Sequence, residues 1–372
     1  METLIKEVLF LLFQLCFIVQ LYYLLSNHTK LAGYKPADEL LPATIPVSVI
    51  ISARNEAENL KTYLPNILEQ DYPDFEVVVI NDCSSDSSDD VLDDMKAKYP
   101  HLKVVTITEH ARFKTGKKFA VTLGIKAATH EHLLFTDADC MPASNQWLAR
   151  MAANFTGDTQ IVLGYSPYYK TSNFLNPFIR FETIKTATNY LSLALSGDPY
   201  MGVGRNLAYT KTLFFGAKGF AAHMHLMAGD DDLFVNQTAT ADNTNIEIHP
   251  DAFMFTPAKS TIKSWYRQKT RHAGVGKYYR NSHRRMLSFD AISGGLFYLL
   301  LLGCLLFDFE PWWALGIFIF RLALQYAVYA KTFKKLNGSD LTVYLPGFDL
   351  IYYFYLNIFG FVGTFIKTRQ WK

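Results

Sequence analysis

At 372 residues the chain exceeds one ordinary soluble domain, and 36 Lys and Arg against 34 Asp and Glu leave it nearly neutral. Half the residues are apolar and 15% aromatic, with only 19% charged, which is rich for a soluble enzyme. No basic-aromatic array points to nucleic acid. The four cysteines (Cys16, Cys83, Cys140, Cys304) lack metal-type spacing and two lie in apolar runs, which argues against a disulfide framework and for a reducing compartment.

Residues 8–25 form an uncharged run rich in Leu and Phe, and further apolar runs occupy 291–307, 312–330 and 343–366. Each is long enough to cross a hydrocarbon core as a helix. The first is long for a signal-peptide core and no small-x-small cleavage site follows, so it reads as a retained anchor. Lys30 and Lys35 follow that span, Arg280, His283, Arg284 and Arg285 precede the second, and Lys331, Lys334 and Lys335 follow the third. The loop holding Asp308 and Glu310 is acidic. This charge bias predicts a cytoplasmic central domain; the location expected for the chain is a bacterial inner membrane. The basic tail (Lys367, Arg369, Lys372) runs against the bias if the fourth run crosses, and Pro346, Gly347, Asp349 and Asn357 interrupt that run, so its topology stays open. The expected organisation is an anchor over 1–29, a cytoplasmic domain over 30–286 and a membrane region over 287–372.

Within the central domain, 47–53 and 75–80 read as buried strands, 103–108 as a third strand and 133–136 as a fourth. Helical spacing follows over 57–68, 84–98 and 116–128. Strand-helix alternation with short connections predicts an α/β fold around a mostly parallel sheet. Ligands of such sheets bind beyond the carboxyl ends of the strands. Asn55, Glu56, Asp82, Asp137 and Asp139 all fall there. Neither GxGxxG nor GxxxxGK[ST] is present, which argues against a dinucleotide-binding enzyme and a P-loop.

Two carboxylates one residue apart, Asp137 and Asp139, offer hard oxygens of the kind that hold Mg2+ or Mn2+ beside substrate phosphates, although Asp-x-Asp also occurs in plain turns. Lys117 opens a helix, where the dipole disfavours a cation unless an anion sits nearby. Asp230, Asp231 and Asp232 stand side by side, and mutual repulsion there would raise one pKa toward that of a base; a charged helix start is the plainer alternative. Glu56 and Asp82 serve equally well as helix caps. Residues 174–195 have apolar spacing with Arg180, Glu182 and Lys185 between, which fits an interfacial helix or a packed one. Arg321 and Gln325 are costly inside the third span.

With these residues assembled, the stretch from 46 to 271 resembles the membrane-anchored family 2 glycosyltransferases, inverting enzymes of GT-A fold. Ser52-Ala-Arg-Asn55-Glu56 and Val79-Ile-Asn-Asp82-Cys-Ser84 are similar to the family's nucleotide-contacting motifs, Gly116-Lys117 to its GK segment and Asp137-Ala-Asp139 to its DxD. Gly202-Val-Gly204-Arg-Asn206-Leu-Ala-Tyr209 resembles the turn bordering the acceptor, Gly229 to Leu233 the base motif, and Gln268-Lys-Thr-Arg271-His272 the QxxRW motif. Two positions depart: Gly229 replaces the Glu of the base motif, and His272 replaces the Trp.

The resemblance implies a nucleotide-sugar donor, a UDP-sugar by expectation, contacted by Ala53, Asn55, Glu56, Asp82, Lys117, Asp137, Gln268 and Arg271. It implies Mg2+ or Mn2+ on Asp137 and Asp139, with His249 as a third ligand. The base is Asp230 or Asp231, with alignment on Asp232-Leu233 favouring Asp230. Gly204, Asn206 and Trp265 would face a lipid-linked or glycan acceptor at the membrane. Membrane lipids are expected partners, nucleic acid is not, and a homo-oligomer stays open. A processive synthase and an inactive nucleotide-sugar-binding scaffold are the alternatives; the missing Trp weighs against the first and the intact carboxylates against the second.

Overall fold

The computed structural model describes residues 2–40, 45–108, 116–226 and 228–365, so the basic tail lies outside the described residues. Among the described residues nine strands follow in order: β1 (Val47–Ala53), β2 (Phe75–Asp82), β3 (Leu102–Ile107), β4 (His132–Asp137), β5 (Met141–Pro142), β6 (Ile161–Leu163), β7 (Leu207–Thr210), β8 (Thr244–Ile246) and β9 (Met254–Phe255). The first helices are α1 (Glu2–Tyr22), α2 (Thr29–Gly33), α3 (Ala57–Leu68), α4 (Ser88–Lys98), α5 (Lys117–Ala127), α6 (Trp147–Ala152) and α7 (Asn176–Leu195). After them come α8 (Lys211–Gly216), α9 (Asp232–Thr238), α10 (Ile262–Ala273), α11 (Asn281–Leu306), α12 (Pro311–Lys335) and α13 (Leu345–Phe365).

The described chain divides into a sheet unit, Lys35–Ser172 with Leu193–Lys259, and a helical unit formed by residues up to Tyr34, Asn173–Ser192 and residues from Ser260 onward. Residues 173–192 and 260–286 thus group with the apolar helices, whereas the sequence reading assigns them to the central domain.

In the sheet unit seven strands run in the order β3-β2-β1-β4-β7-β6-β8. β1, β2, β3 and β4 are mutually parallel where they pair, and β7 runs antiparallel to both β4 and β6. Val77, Val78, Val79 and Ile80 have no exposed surface, as expected of a parallel strand covered on both faces. Each such side chain contributes about 1.5–3 kcal/mol through burial. Helix α5 packs directly on this layer at Gly124, where a Cβ would collide with Ile80 and Ile50. Gly124→Leu is therefore expected to cost roughly 1–3 kcal/mol by overpacking. A thermal unfolding midpoint equal to that of the natural chain would show that α5 and the sheet tolerate the added volume.

The predicted helix over 84–98 starts late, at Ser88, because its Ser/Asp-rich lead is a loop. Cys83 there takes φ +53°, and the Asp86 carboxylate accepts from the N–H groups of Ala57 (3.0 Å) and Ser88 (3.1 Å).

In the helical unit four helices are long and apolar enough to cross a membrane: Thr3–Gly33, Asn281–Leu306, Pro311–Lys335 and Ser339–Gly363. The fourth apolar run is thus helical through Asp349 and Asn357, and the Asn357 amide donates to the carbonyls of Ala291 (2.6 Å) and Tyr353 (2.8 Å). Phe13, Phe297, Tyr298, Leu301 and Tyr353 pack in an apolar cluster.

A polar chain also runs through the helical unit. Asp349, with no exposed surface, accepts from Lys185 Nζ (3.1 Å), the Tyr298 hydroxyl (2.8 Å), Arg321 (3.0 Å) and Gln325 (3.1 Å). Arg321 donates onward to Gln20 (3.0 Å), whose amide donates to Asp290 (3.0 Å) and Ser293 (2.9 Å). Lys185 reaches the Tyr329 hydroxyl at 2.7 Å. This network answers the expense of Arg321 and Gln325 in lipid. It also decides the character of α7. Arg180 pairs with Asp340 (2.8 Å), Glu182 with Lys269, and Lys185 with Asp349, all with less than a tenth of the α7 side chain exposed. The helix is packed through its charges rather than spread on a surface.

Candidate active site

The carboxyl ends of β1, β2 and β4 lie level, since Ser52 pairs with Ile80 on one side and Asp137 on the other. With β2 and β4 flanking β1, this is the point where the strand order reverses, the usual ligand position in open α/β sheets. A cavity opens there, lined by Ser52, Lys117, Asp137, Gly204, Asp230 and Asp231 among other residues.

Lys117 joins the two acidic motifs. As the first residue of α5 it sits against the helix dipole, yet its Nζ lies 2.9 Å from Asp137 Oδ1 and 3.1 Å from Asp230 Oδ2. Burial disfavours the ammonium, but the charges of Asp137, Asp230 and Asp231 outweigh it and hold Lys117 protonated. Lys118, which sequence reasoning passed over, turns away. Its Nζ donates to the carbonyls of His223 (2.7 Å) and Leu226 (3.2 Å), and burial pulls its pKa down to about 8. The doubled lysine after Gly116 was the available signal: one arm reaches the carboxylates, the other the segment leading to them.

The adjacent aspartates separate by partner. Asp231 caps α9, its Oδ1 accepting from the Asp232 N–H and its Oδ2 from the Gly204 N–H, each at 2.8 Å. Burial first, then the charge of Asp230, raises its carboxyl pKa. Asp230 instead faces Lys117 and the cavity, with 13% of its side chain exposed. Gly229 has φ +92°, and a Cβ there would come within 2.5 Å of Leu233 Cδ1. The departure from Glu at this position thus has a backbone cause.

Asp137 ends β4 with 31% of its side chain exposed. The Asp139 carboxyl is raised by burial and then by the charge of Asp137, while Arg205 opposes the rise. Two hard carboxylates under mutual repulsion suit a divalent cation. His249 is not brought to them as a ligand set: among the described residues no group of three His, Cys, Asp or Glu is placed to hold a metal ion. His249 caps a short turn, with Nδ1 accepting from the Asp251 N–H at 3.2 Å.

On the β1 and β2 side, Ala53 is buried at its strand end, and Asp82 is 1% exposed. Neither Asp82 oxygen meets an N–H or O–H donor among the described residues. Burial raises its pKa, eased by Arg54 and the Cys83 thiol. A buried carboxylate left in this state invites a ligand donor. Asn55, at φ +55°, uses its side-chain oxygen on the Ser85 N–H (2.7 Å), and Glu56 accepts from Asn59 (2.5 Å).

Two residues expected at the acceptor lie in packed surroundings. Asn206 has no exposed surface; its oxygen accepts from Trp147 (3.0 Å), and its amide donates to the carbonyls of Tyr165 and Ala252 (both 2.8 Å). It braces the turn that carries Gly204, with both amide hydrogens used and no surface open to solvent. Trp265 packs its ring among Phe178, Tyr355 and Phe359 in the helical unit, with centroids 5.5–5.9 Å apart. Gln268 and Arg271 lie on α10 of that same unit.

A mostly parallel sheet with an Asp-x-Asp at its switch point and a second acidic motif on the same cavity is the arrangement of a GT-A fold. Residues 48–216 match Glycosyl transferase family 2, and this region is a domain of that family.

Among curated proteins the chain is similar to the probable glycosyltransferase YdaM of Bacillus subtilis, 26% identical over 249 residues, which is 62% of this chain and 55% of that protein. It is also similar to the poly-beta-1,6-N-acetyl-D-glucosamine synthase of Staphylococcus epidermidis, 32% identical over 93 residues, covering 25% of this chain and 21% of that one. The chain thus matches about half the length of these relatives or less. In fold it is similar to mannosyltransferase PcManGT of Pyrobaculum calidifontis, solved with GDP-Man and Mn2+, with a TM-score of 0.62, 17% identity, and coverage of 95% of this chain and 98% of that one.

Proposed function

We propose that this chain is a metal-dependent, inverting glycosyltransferase of the inner face of a membrane, moving a sugar from a UDP-linked or related nucleotide donor to a lipid-linked acceptor. The observation that carries the reading is Lys117 bridging Asp137 and Asp230 beside one cavity at the switch point.

Each residue has a defined task. Asp82, buried without an N–H or O–H donor, would accept from the nucleoside. Lys117 would balance diphosphate charge as it departs, and Asp137 and Asp139 would hold the cation. Mg2+ or Mn2+ supplies Lewis-acid neutralisation of the leaving diphosphate when bound. Asp230 would take the proton of the acceptor hydroxyl as it attacks the anomeric carbon on the face opposite the diphosphate. One base suffices for such a single displacement. Asp231, tied to Gly204 and to the start of α9, holds Asp230 in place. The PcManGT complex supports a nucleotide-sugar donor and a divalent ion.

A processive synthase is the second reading, supported by the match to the Staphylococcus epidermidis polymer synthase; His272 in place of Trp weighs against it. Radiolabelled UDP- and GDP-sugars given to the full chain in native membranes with Mn2+ would separate the outcomes. Label in an organic-soluble lipid supports the proposal, label in a polymer the synthase, and bound donor without product an inactive scaffold. Asp139→Asn is expected to abolish turnover, and activity that persists in chelator would refute the metal role.

A further inference from the structure

Arg205 stands between Gly204, which lines the cavity, and Asn206, which is locked in the core. The backbone on both sides is therefore fixed. Its guanidinium carbon lies 4.7 Å from the Tyr168 ring centroid, in a cation–π contact. Its Nε is buried and meets no acceptor. Among the described residues no carboxylate comes within ion-pair distance of it; Asp137 and Asp139 are felt only at longer range. A cation held at a site's edge without an ion partner is costly unless a ligand supplies the anion. A planar guanidinium matches the paired oxygens of phosphate or carboxylate.

The turn that carries Arg205 also shows which ligand is meant. Gly204 donates its N–H to Asp231, the neighbour of the proposed base. Arg205 is therefore mounted on the part of the site that handles the acceptor hydroxyl. The diphosphate side already has Lys117. We propose that Arg205 recognises an anionic group, phosphate or carboxylate, on the acceptor, so that the acceptor class is an acidic lipid rather than a neutral one. This rests on the transferase reading above.

The test uses the full chain in detergent, as the natural protein, Arg205→Gln and Arg205→Lys. Binding is read by thermal shift for UDP and GDP with Mn2+, and for a polyprenyl phosphate, a long-chain carboxylate and a neutral polyprenol. The acidic lipids, but not the polyprenol, are expected to bind the natural chain. Arg205→Gln should weaken that binding about ten- to hundredfold, the scale of a hydrogen bond to a charged group. Arg205→Lys should lie between, while nucleotide affinity stays within about twofold in all three and certifies that the variants are folded. Three results overturn the inference: the neutral polyprenol binding as well as the acidic lipids, acidic-lipid binding that ignores Arg205, or nucleotide affinity falling with Arg205→Gln, which would assign the cation to the donor diphosphate. If neither nucleotide binds the natural chain, the transferase reading itself fails.

Discussion

Asp230→Asn is expected to lower sugar transfer by about 10²–10⁴-fold, the usual contribution of a positioned general base, while nucleotide affinity stays near that of the natural chain. The asymmetry between neighbours makes this a sharp test. Asp231 accepts two backbone N–H bonds, from Gly204 and Asp232, and its role is to fix the turn. Asp231→Asn removes one of those acceptors and should cost roughly 0.5–2 kcal/mol, the range of a helix cap, with a smaller effect on rate. Asp230 makes one ion pair, to Lys117, which keeps Asp137 when Asp230 is neutralised. Single-turnover rates with saturating donor, set beside nucleotide binding and melting curves, distinguish the two. Should Asp231→Asn silence a fully folded chain while Asp230→Asn leaves it active, the roles are reversed.

Asp349→Ala is expected to destabilise the helical unit by about 3–5 kcal/mol, because a lost partner leaves buried charge uncompensated. Lys185 and Arg321 both donate to this carboxylate, and their side chains are 2% and 3% exposed. Neither cation reaches water by a small rotation. Replacing all three groups by apolar residues of similar size (Lys185→Met, Arg321→Leu, Asp349→Leu) should recover most of the loss, since well-packed apolar substitutes for buried ion pairs are often neutral or better. Melting of the detergent-solubilised chain measures both. If Asp349→Ala unfolds with an unchanged midpoint, the two cations have another sink and the network is not holding the bundle.

Much of the fold was legible because its signals are local. The runs over 47–53, 75–80 and 133–136 are strands for the reason they read as strands, continuous apolar character between polar ends. Lys117 was legible as an electrostatic anomaly, read as facing a diphosphate; the structure sets Asp137 and Asp230 beside it. Other features escaped because they are made by distant partners. Asn206 sits in a motif that borders a substrate, yet Trp147 and two carbonyls use up its amide. No spacing rule reports that. Helix α7 carries three charges that suggest a wet face, and their counter-ions are Asp340, Lys269 and Asp349, remote in sequence. The late start of α4 goes with Asp86, whose carboxylate accepts from the first N–H of both α3 and α4 and so lies ahead of each helix.

Among the described residues the four apolar spans become less hydrophobic along the chain, with mean hydropathies over 18-residue stretches of 2.3, 1.9, 1.4 and 1.2. The last carries Asp349, a residue that lipid tolerates poorly on an isolated helix. Were α13 to cross a bilayer, its carboxylate would rest there on the cations of two other helices, Arg321 and Lys185.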